Sequence, residues 1–459
     1  MLRSLREAGD IEMIEKPLKA VGVGLGPSNL ALATAIEERN LKIKDNFDCL
    51  FLESNRNFQW HPGMLIPGMQ LQVPFFRDLA TVRNPQSPFT FLNYLKSKNR
   101  LDQFINLRTF YPSRVEYHDY LTWVCERLSH ITKFGCKVKS ISPVWEENHR
   151  IIKKLKINYV DKKHKNTKSC IAENVIISVG GEPYFPPCVN DFEDDRIVHT
   201  SSLLKKIPNR FVQSFENYHF IVIGSGQSAG EAAYYLLKQY PNARVSLCFR
   251  NYSLHAIDNS PFVNLVYHQS AVDSFYKLSN PLKIKALHDL RTSNYSVVDL
   301  NLLNDLFKEQ YLDLFQGKER LKICPGLNLE NIMLTNSIVQ VDFKDIYNES
   351  TETMKGDAVI LATGYVQDNY SKLLDELNEH LKKNDDGEYL VSKNYQIQKE
   401  KSMHANVYLQ GYCESTHGPS DSTLAIMSTR AELILEAILN DGCSIKNNLK
   451  IVRKELNEA

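Results

Sequence analysis

Two short glycine loops constrain the fold of this chain more than any other feature of its sequence. In each loop, an apolar run typical of a β-strand turns through closely spaced glycines into a segment with helical spacing. The first loop is VGVGLGPSNLALA, starting at Val21, and the second is VIGSGQSAGEAAYYL, starting at Val222. A strand, a glycine turn and a helix in this order gather backbone N–H groups and a helix N-terminus around one point, which suits a phosphate. Each loop therefore predicts a dinucleotide-binding unit.

The first loop follows the GxGxxG pattern imperfectly. Gly22 and Gly24 occupy its two leading positions, Gly26 follows, and Pro27 stands where the third glycine is expected. Glycine suits such a turn because it has no Cβ, and proline is tolerated in the first turn of a helix. Glu53 ends the next strand-like run, where a carboxylate can accept hydrogen bonds from ribose hydroxyls. These features predict FAD at this loop.

The second loop has the same context but a different residue at the end of its second strand. Gly224 and Gly226 lead the loop, and the strand that follows ends at Arg250. A guanidinium at that position suits the 2′-phosphate of NADPH better than the free 2′-hydroxyl of NADH. We therefore predict NADPH at the second loop. A surface salt bridge remains the alternative role for Arg250.

Two such loops predict an α/β fold with two Rossmann-like dinucleotide-binding domains, the second inserted into the first. The run Asp357–Tyr365 supports an insertion, because it reads as a buried strand ending in a tight turn where the chain returns to the first domain. FAD together with NADPH implies hydride transfer to flavin, with the protein supplying position and electrostatics. The predicted ranges are 17–205 for the first part of the FAD domain, 206–365 for the NADPH domain with a mostly helical substrate-binding region at 255–315, and 366–445 for the return to the FAD domain and a C-terminal helix.

Composition excludes several other classes of function. The 55 basic and 54 acidic residues leave a formal net charge of +1, which gives no bias toward nucleic acid or an anionic membrane. No apolar run is long enough to span a bilayer, and the charged segment Met1–Ala20 lacks the apolar core of a secretory signal. The nine cysteines include no CxxC pair, so neither a flavin disulfide reductase nor a metal site is expected. We expect a cytoplasmic protein with reduced thiols.

The motifs resemble those of the flavin-dependent N-monooxygenases that hydroxylate the terminal side-chain amine of ornithine or lysine for hydroxamate siderophores. The likeness extends from about residue 20 to residue 440, and two of its stretches are specific to this family among flavoproteins. These two are FQWHPGMLIPGMQLQVPFFRDLATVRNPQSPFTFLNYL and TSNYSVVDLNLL. The other matching stretches are GGEPYFPPCV, the Asp258–Asn264 run, LATGY and THGPSDSTLA, besides the two loops. The runs at Asn264 and Asn294 look closer to the ornithine branch.

The resemblance implies a reaction in two halves that needs FAD, NADPH and O2. NADPH reduces FAD, and reduced flavin with O2 forms a C4a-hydroperoxide, which the retained NADP⁺ shields from water. The unprotonated amine then attacks the distal peroxide oxygen. An ammonium normally titrates near ~10.4 and is not a nucleophile, so the pocket must favour the neutral amine by desolvation or by neighbouring groups.

Residue roles also follow from the resemblance, position by position. Catalytic roles fall on Asn294 and Gln72, and substrate binding falls on Arg77, Asn264, Asn294 and Thr423. FAD binding falls on Gly22, Gly24, Gly26, Pro27, Asn29, Glu53, Trp60, His61, Gln72, Arg114, Asp421, Thr423 and Leu424. NADPH binding falls on Gly224, Gly226, Gln227, Ser228, Arg250, Asn294, Thr363, Gly364 and Tyr365.

Two positions depart from the family pattern and affect the substrate prediction. Arg77 stands where the family usually has a lysine that contacts the substrate carboxylate, and Ala425 stands where a serine is expected. Arginine keeps the charge and can hold a carboxylate bidentately. Because a diamine has no carboxylate for Arg77, an amino acid is the favoured substrate, most of all L-ornithine.

Other readings remain open at this point. The same chemistry could act on L-lysine or on a diamine such as putrescine or cadaverine. A Baeyer–Villiger-type monooxygenase is disfavoured because Phe192–Leu203, the nearest segment to its signature, has Asp194 in place of glycine and His199 one residue late. A non-catalytic flavoprotein is disfavoured by the retained asparagines. By resemblance, the protein is expected to be a homo-oligomer, either a dimer or a tetramer.

Overall fold

The structure is a computed structural model. It describes residues 12–13, 16–43, 47–146, 150–189 and 194–441. Most of Met1–Ala20, Phe192 of the Baeyer–Villiger-like segment, and residues 442–445 of the predicted C-terminal segment lie outside these ranges. Among the helices within them, none has the length and apolar character needed to cross a bilayer.

An eight-stranded mixed sheet forms the core of the first domain. Six of its strands lie in the order β4-β3-β2-β7-β6-β5, and the other two, β1 and β20, both pair with β7. The first half of β7 pairs antiparallel with β6, and its second half lies between the parallel strands β2 and β20. The ends of β2 and β7 are buried apolar runs, as expected for strands covered on both faces. The strands are β1 (Glu12–Met13), β2 (Leu18–Val23), β3 (Cys49–Leu52), β4 (Thr132–Lys133), β5 (Cys136–Glu146), β6 (Ile151–Asp161), β7 (Asn166–Ile177) and β20 (Asn406–Leu409).

A five-stranded, fully parallel sheet forms the core of the second domain, with strand order β14-β11-β10-β18-β9. Parallel strands joined by helical crossovers are the arrangement predicted from the second glycine loop. The strands are β9 (Ile197–His199), β10 (His219–Ile223), β11 (Arg244–Cys248), β14 (Leu321–Cys324) and β18 (Ala358–Leu361).

The first strand of this second sheet corrects the predicted domain boundary at 205/206. Strand β9 pairs with β18, so residues 197–199 already belong to the second domain. Leu203 and Ile207, which follow, also pack into the core of that domain. The sequence did not reveal this because β9 has only three residues and lacks a glycine turn after it.

Smaller elements complete the fold. Three minor sheets are formed by β8 (Glu182–Pro183) with β19 (Tyr365–Val366), by β12 (His255–Ala256) with β13 (Val297–Val298), and by β15 (Leu327–Leu334), β16 (Val339–Asp345) and β17 (Thr351–Gly356). The α-helices are α1 (Pro27–Lys42), α2 (Phe91–Ser97), α3 (Leu101–Asn106), α4 (Arg114–Arg127), α5 (Leu203–Arg210), α6 (Gln227–Gln239), α7 (Gln269–Tyr276), α8 (Asn280–Asp289), α9 (Leu300–Phe315) and α10 (Glu414–His417). The 3-10 helices are Pro62–Met64, Phe75–Arg77, Thr200–Ser202, Val263–Tyr267, Arg291–Ser293, Ser371–His380 and Leu424–Ile426.

The chain returns to the first domain after β18. Strand β20 pairs with β7, and residues 427–441 form a helix whose apolar side packs against the first core. Just before this helix, Leu424–Ile426 forms a 3-10 turn. The Thr423 hydroxyl caps that turn by accepting a hydrogen bond from the Ala425 amide.

A buried ion pair joins the two domains. Arg114, at the start of α4 in the first domain, donates from both terminal nitrogens to the Glu231 carboxylate on α6, which is fully buried. Glu231 also accepts from the Gln227 amide at 2.8 Å, and Gln227 in turn accepts from the Asp299 backbone N–H at 2.8 Å. The pair therefore fixes the second glycine loop relative to the first domain.

We predict that Glu231→Ala lowers the free energy of unfolding by about 3–5 kcal/mol, because it leaves the Arg114 charge desolvated without its partner. The measurement is chemical denaturation followed by circular dichroism. Glu173→Ala is the matched control, since Glu173 and its partner Lys19 are 41% and 53% exposed, and its cost is expected to stay under about 1 kcal/mol. Equal losses in the two variants would contradict the role given to the buried pair.

Candidate active site

The two glycine loops have the same local geometry, and this corrects the predicted register of the first. Gly24 and Gly224 both have a positive φ, of +82° and +143°. Each donates its backbone N–H over 2.9 Å to the carbonyl of Leu52 or Cys248 in the neighbouring strand. Gly24 is therefore the first glycine of its loop.

Gly26 and Gly226 are the second equivalent pair, since each is the N-cap of the helix that follows. The prediction that Gly22 leads the loop is wrong. Gly22 lies inside β2, where a Cβ would stand 2.2 Å from the Phe51 ring. The absence of a side chain at Gly22 lets the Phe51 ring pack against strand β2.

Both loops leave room and hydrogen-bond donors for a phosphate group. Neither α1 nor α6 has a side-chain cap or an acidic residue in its first turn, whereas α4 and α9 are capped by Ser113 and Asp299. A Cβ on Gly26 would meet no atom within 4 Å, and one on Gly226 would have only the Ser296 Cα, at 4.0 Å. The uncapped N–H groups and the open space fit a pyrophosphate at each loop.

Two residues near the first loop act on its backbone. Glu53 accepts a hydrogen bond from the Leu25 N–H at 2.9 Å and remains partly exposed, which keeps the predicted ribose role open. Asn29 is fully buried, donates to the Gly24 carbonyl at 2.7 Å and accepts from Gln410. The prediction that Asn29 contacts FAD directly is therefore corrected to a role in shaping the loop, because Asn29 presents no accessible surface.

A cavity of about 730 Å³ lies at the second loop and reaches the first domain. Every residue predicted to bind NADPH lines it: Gly224, Gly226, Gln227, Ser228, Arg250, Asn294, Thr363, Gly364 and Tyr365. Gln72, from the first domain, lines the same cavity. The two residues predicted to be catalytic, Gln72 and Asn294, thus face one space at the junction of the domains.

Sequence reasoning missed other residues that line this cavity, among them Tyr184, Pro186, Pro187, Cys188, Asn251, Leu327, Asn328, Leu329 and Glu330. Asn251 follows Arg250 after β11, and the others come from the segment before β9 and from the start of β15. Leu327 reaches the cavity because its N–H donates to the Phe249 carbonyl at 2.9 Å. No motif marks this pairing, although the proline run at 186–187 was part of a matching stretch.

Arg250 is exposed and stands on the cavity wall. Within the described ranges its guanidinium has no ion-pair partner, so the surface salt bridge considered as its alternative role is not present there. A free cation at this edge of the cavity suits an added phosphate.

The predicted substrate residues form a second group beside the cavity. Arg77 donates from Nη1 to the carbonyls of Tyr267 and Ala425, at 2.8 and 3.0 Å. The Tyr267 hydroxyl donates to the Ser293 carbonyl at 3.1 Å, which places this group next to Asn294. Asn264, one turn before Tyr267, donates to the Asn259 carbonyl at 2.8 Å. Arg77 and Asn264 do not line the 730 Å³ cavity itself.

Aromatic rings close the junction on another side. The His61 ring lies 5.2 Å from the Trp60 ring and 6.1 Å from the Tyr365 ring, between centroids. Although His61 keeps an exposed surface, the protein atoms around its ring and, to a lesser extent, the nearby Arg114 charge lower its pKa to about 4. The shift favours the neutral form of the imidazole.

Four further residues predicted to bind FAD are engaged in contacts or turns within the protein. Asp421 is 1% exposed, and its carboxylate accepts hydrogen bonds from the Cys413 N–H and the Arg430 guanidinium. Its backbone carbonyl accepts from Arg430 as well, and its backbone N–H donates to the Gly418 carbonyl. This corrects the prediction for its side chain. Thr423 caps the 3-10 turn and Leu424 begins it, while Arg114 has its terminal nitrogens on Glu231.

Among the described residues, no group of three or more His, Cys, Asp or Glu is arranged to hold a metal ion.

Comparison with known proteins identifies the family. Residues 16–367 match the model of the L-lysine 6-monooxygenase/L-ornithine 5-monooxygenase family. The chain belongs to this family. An L-ornithine N(5)-oxygenase of Arthrobotrys oligospora is 35% identical over 440 residues, covering 94% of this chain and 90% of the relative.

Solved structures agree with this membership. An ornithine N-hydroxylase of Kutzneria sp. 744, described with reduced FAD, NADP⁺ and L-ornithine, is 32% identical with a TM-score of 0.87, covering 93% of this chain and 99% of that one. The ornithine hydroxylase of Pseudomonas aeruginosa is 30% identical with a TM-score of 0.86, covering 93% and 100%. The expected ornithine branch of the family and the two-domain α/β fold are confirmed.

Proposed function

We propose that this protein is an FAD- and NADPH-dependent monooxygenase that hydroxylates the terminal side-chain amine of L-ornithine. The observation that carries the proposal is the junction cavity, where Gln72 of the first domain faces Asn294 and the glycine loop of the second. A pocket shared by two dinucleotide domains allows hydride transfer between their cofactors. The family relatives, named as ornithine hydroxylases, support ornithine over lysine.

The residues that would hold each cofactor follow from the loops. FAD would lie on Gly24, Gly26 and the uncapped start of α1, with Glu53 at its ribose; NADPH would lie in the 730 Å³ cavity, with Arg250 at its 2′-phosphate. The chemistry that FAD would supply has two parts. It would accept a hydride from NADPH, and in its reduced form it would activate O2 so that one oxygen atom can be transferred to the amine.

The protein's own residues must bind the amino acid, keep its amine neutral and exclude water. Two backbone carbonyls fix Arg77 through Nη1, which leaves its other N–H groups to hold the substrate carboxylate. Asn264 and Asn294 would orient the amine through their amide groups without adding charge. Enclosure of the amine in the site, away from water, would favour its uncharged form.

The function is tested with purified protein and three amines. Bound flavin should be visible by absorbance, and hydroxylamine formation should be greater with L-ornithine than with L-lysine or putrescine. Flavin reduction by NADPH without hydroxylamine from any of the three amines would exclude amine hydroxylation. Faster turnover of L-lysine or putrescine would reject ornithine as the substrate while keeping the reaction class.

We also propose that the protein is a cytoplasmic homo-oligomer, either a dimer or a tetramer. The eight described cysteines are free thiols, as a reducing compartment would maintain. Phe307, Tyr311 and Phe315 on α9 are 68%, 62% and 83% exposed, and an apolar stripe of this kind suits a subunit contact. A monomer by light scattering at working concentration would reject the oligomer.

Gly26 and Gly226 have open space where a Cβ would stand, and each therefore leads to a prediction about the cofactor at its own loop. Gly26→Ala and Gly226→Ala should both fold normally, because each φ is negative and the added Cβ clashes with no protein atom. Each methyl should instead occupy ligand space. We expect Gly26→Ala to weaken FAD binding at least ~10-fold, about 1.4 kcal/mol, and Gly226→Ala to do the same for NADPH. Titration of each cofactor on each variant measures this, and loss of the same cofactor in both would refute the assignment.

Arg250 predicts the choice between NADPH and NADH. Arg250→Ala should raise the KM for NADPH by roughly 10- to 100-fold, the loss of one charge-assisted interaction, and leave the KM for NADH unchanged. Arg244→Ala is the matched control, because Arg244 begins β11, the strand after which Arg250 lies, and does not line the cavity. A parallel rise for both cofactors would argue against contact with the 2′-phosphate.

The role proposed for Arg77 leads to a prediction about whether the enzyme prefers an amino acid or a diamine as substrate. Arg77→Ala should raise the KM for L-ornithine far more than it changes NADPH oxidation without substrate, since it removes the carboxylate partner. Putrescine has no carboxylate, so its KM should be unaffected by the same substitution. Arg77→Lys should restore part of the ornithine affinity. Equal losses for ornithine and putrescine would indicate that Arg77 only supports the backbone of Tyr267 and Ala425.

A further inference from the structure

The first glycine loop has fewer backbone donors than the second. With Gly26 and Gly226 equivalent, Pro27 corresponds to Gln227 as the first residue of the helix. Proline has no N–H, so the first loop lacks one of the donors that the second loop can offer to a phosphate. The next residue is a serine in both loops, and in the second loop this serine, Ser228, lines the NADPH cavity.

Ser28 is the equivalent of Ser228, and its hydroxyl accepts a hydrogen bond from a buried arginine, Arg430. Its Oγ accepts a hydrogen bond from Arg430 Nη2 at 2.7 Å, and Ser28 itself remains partly exposed. Arg430 lies on the helix at 427–441 and is fully buried. A contact between residues this far apart in sequence ties the C-terminal helix to the first loop.

Arg430 is in turn fixed by Asp421. Its Nη1 donates to the Asp421 carbonyl at 2.6 Å and to the Asp421 carboxylate at 2.5 Å. Because the carboxylate neutralises the guanidinium, the pair contributes little net charge to the loop. Its effect on Ser28 is therefore one of direction.

That direction decides where the Ser28 hydroxyl points. A serine hydroxyl has one hydrogen to donate and two acceptor positions, and Arg430 occupies one of the acceptor positions. Within the described chain, no acceptor receives the hydrogen of Ser28. It is left for the ligand side of the loop, at the uncapped start of α1.

We propose that the Ser28 hydroxyl donates a hydrogen bond to a phosphate oxygen of bound FAD, replacing the N–H that Pro27 lacks, and that Arg430 is the positioning residue that orients it. This rests on the proposed function, which places FAD at this loop. It adds two residues that neither the motif nor the family resemblance assigned.

The test measures FAD binding and does not depend on turnover. Ser28→Ala should raise the dissociation constant for FAD by roughly 10- to 100-fold, the loss of one hydrogen bond to a charged group, in titrations of the apoprotein. Ser28→Thr, which keeps the hydroxyl, should restore the affinity. The ³¹P resonances of bound FAD should shift in the alanine variant and return in the threonine variant.

Thr34→Val is the matched control. Thr34 lies on the same helix, and its hydroxyl donates to the Ala31 carbonyl at 2.7 Å inside the core. Removing that hydroxyl should lower stability and leave the FAD dissociation constant unchanged. NADPH affinity should stay constant in all these variants, since Ser28 is not on the NADPH cavity.

A double-mutant cycle tests the positioning role. If Arg430 acts through Ser28, Arg430→Lys should weaken FAD binding, and the double variant with Ser28→Ala should bind no worse than the weaker single variant. Should Arg430→Lys not fold, the comparison of alanine with threonine at position 28 still decides. Unchanged FAD affinity in Ser28→Ala would overturn this inference alone. A wild-type protein that binds no FAD would overturn both it and the proposed function.

Discussion

The buried ion pair between Arg114 and Glu231 is the interaction on which the functional geometry depends. A desolvated carboxylate on the helix of the second loop is stable only with its partner from the first domain. Through Gln227, the same carboxylate reaches the backbone of Asp299, which caps α9. One charge pair thus connects the second glycine loop, the start of α9 and the first domain.

The two loops use the same backbone solution with different supporting side chains. Both place a glycine of positive φ at the strand end and an uncapped glycine at the helix start. The first loop is supported by Asn29 and by Arg430 through Ser28, all from within its own domain. The second is supported across the domain boundary by Arg114.

Prediction from sequence grouped residues that the fold also brings together. Gly224, Gly226, Gln227 and Ser228 share one cavity because a strand–turn–helix motif fixes their positions. Asn294 and Thr363–Tyr365, which the family resemblance marked, line the same cavity. Prediction failed where contacts are long-range. Pattern matching put Gly22 in the loop, but strand β2 extends through it, and Asn29 and Asp421 look like ligands until their partners Gln410 and Arg430 are seen. The boundary at 205/206 was late because β9 becomes a strand only by pairing with β18.

The sequence by itself determined the α/β class, the two dinucleotide loops and the family, since these depend on residue types at fixed local spacing. Only the tertiary structure decided which of those residues remain available to a ligand. Burial removes Asn29, internal hydrogen bonds occupy Asp421, and the absence of an ion pair with any described residue leaves Arg250 available at the cavity wall. The physical reason is that a polar atom can bind a ligand only if the folded protein has not already satisfied or buried it, and those partners lie far away in the chain.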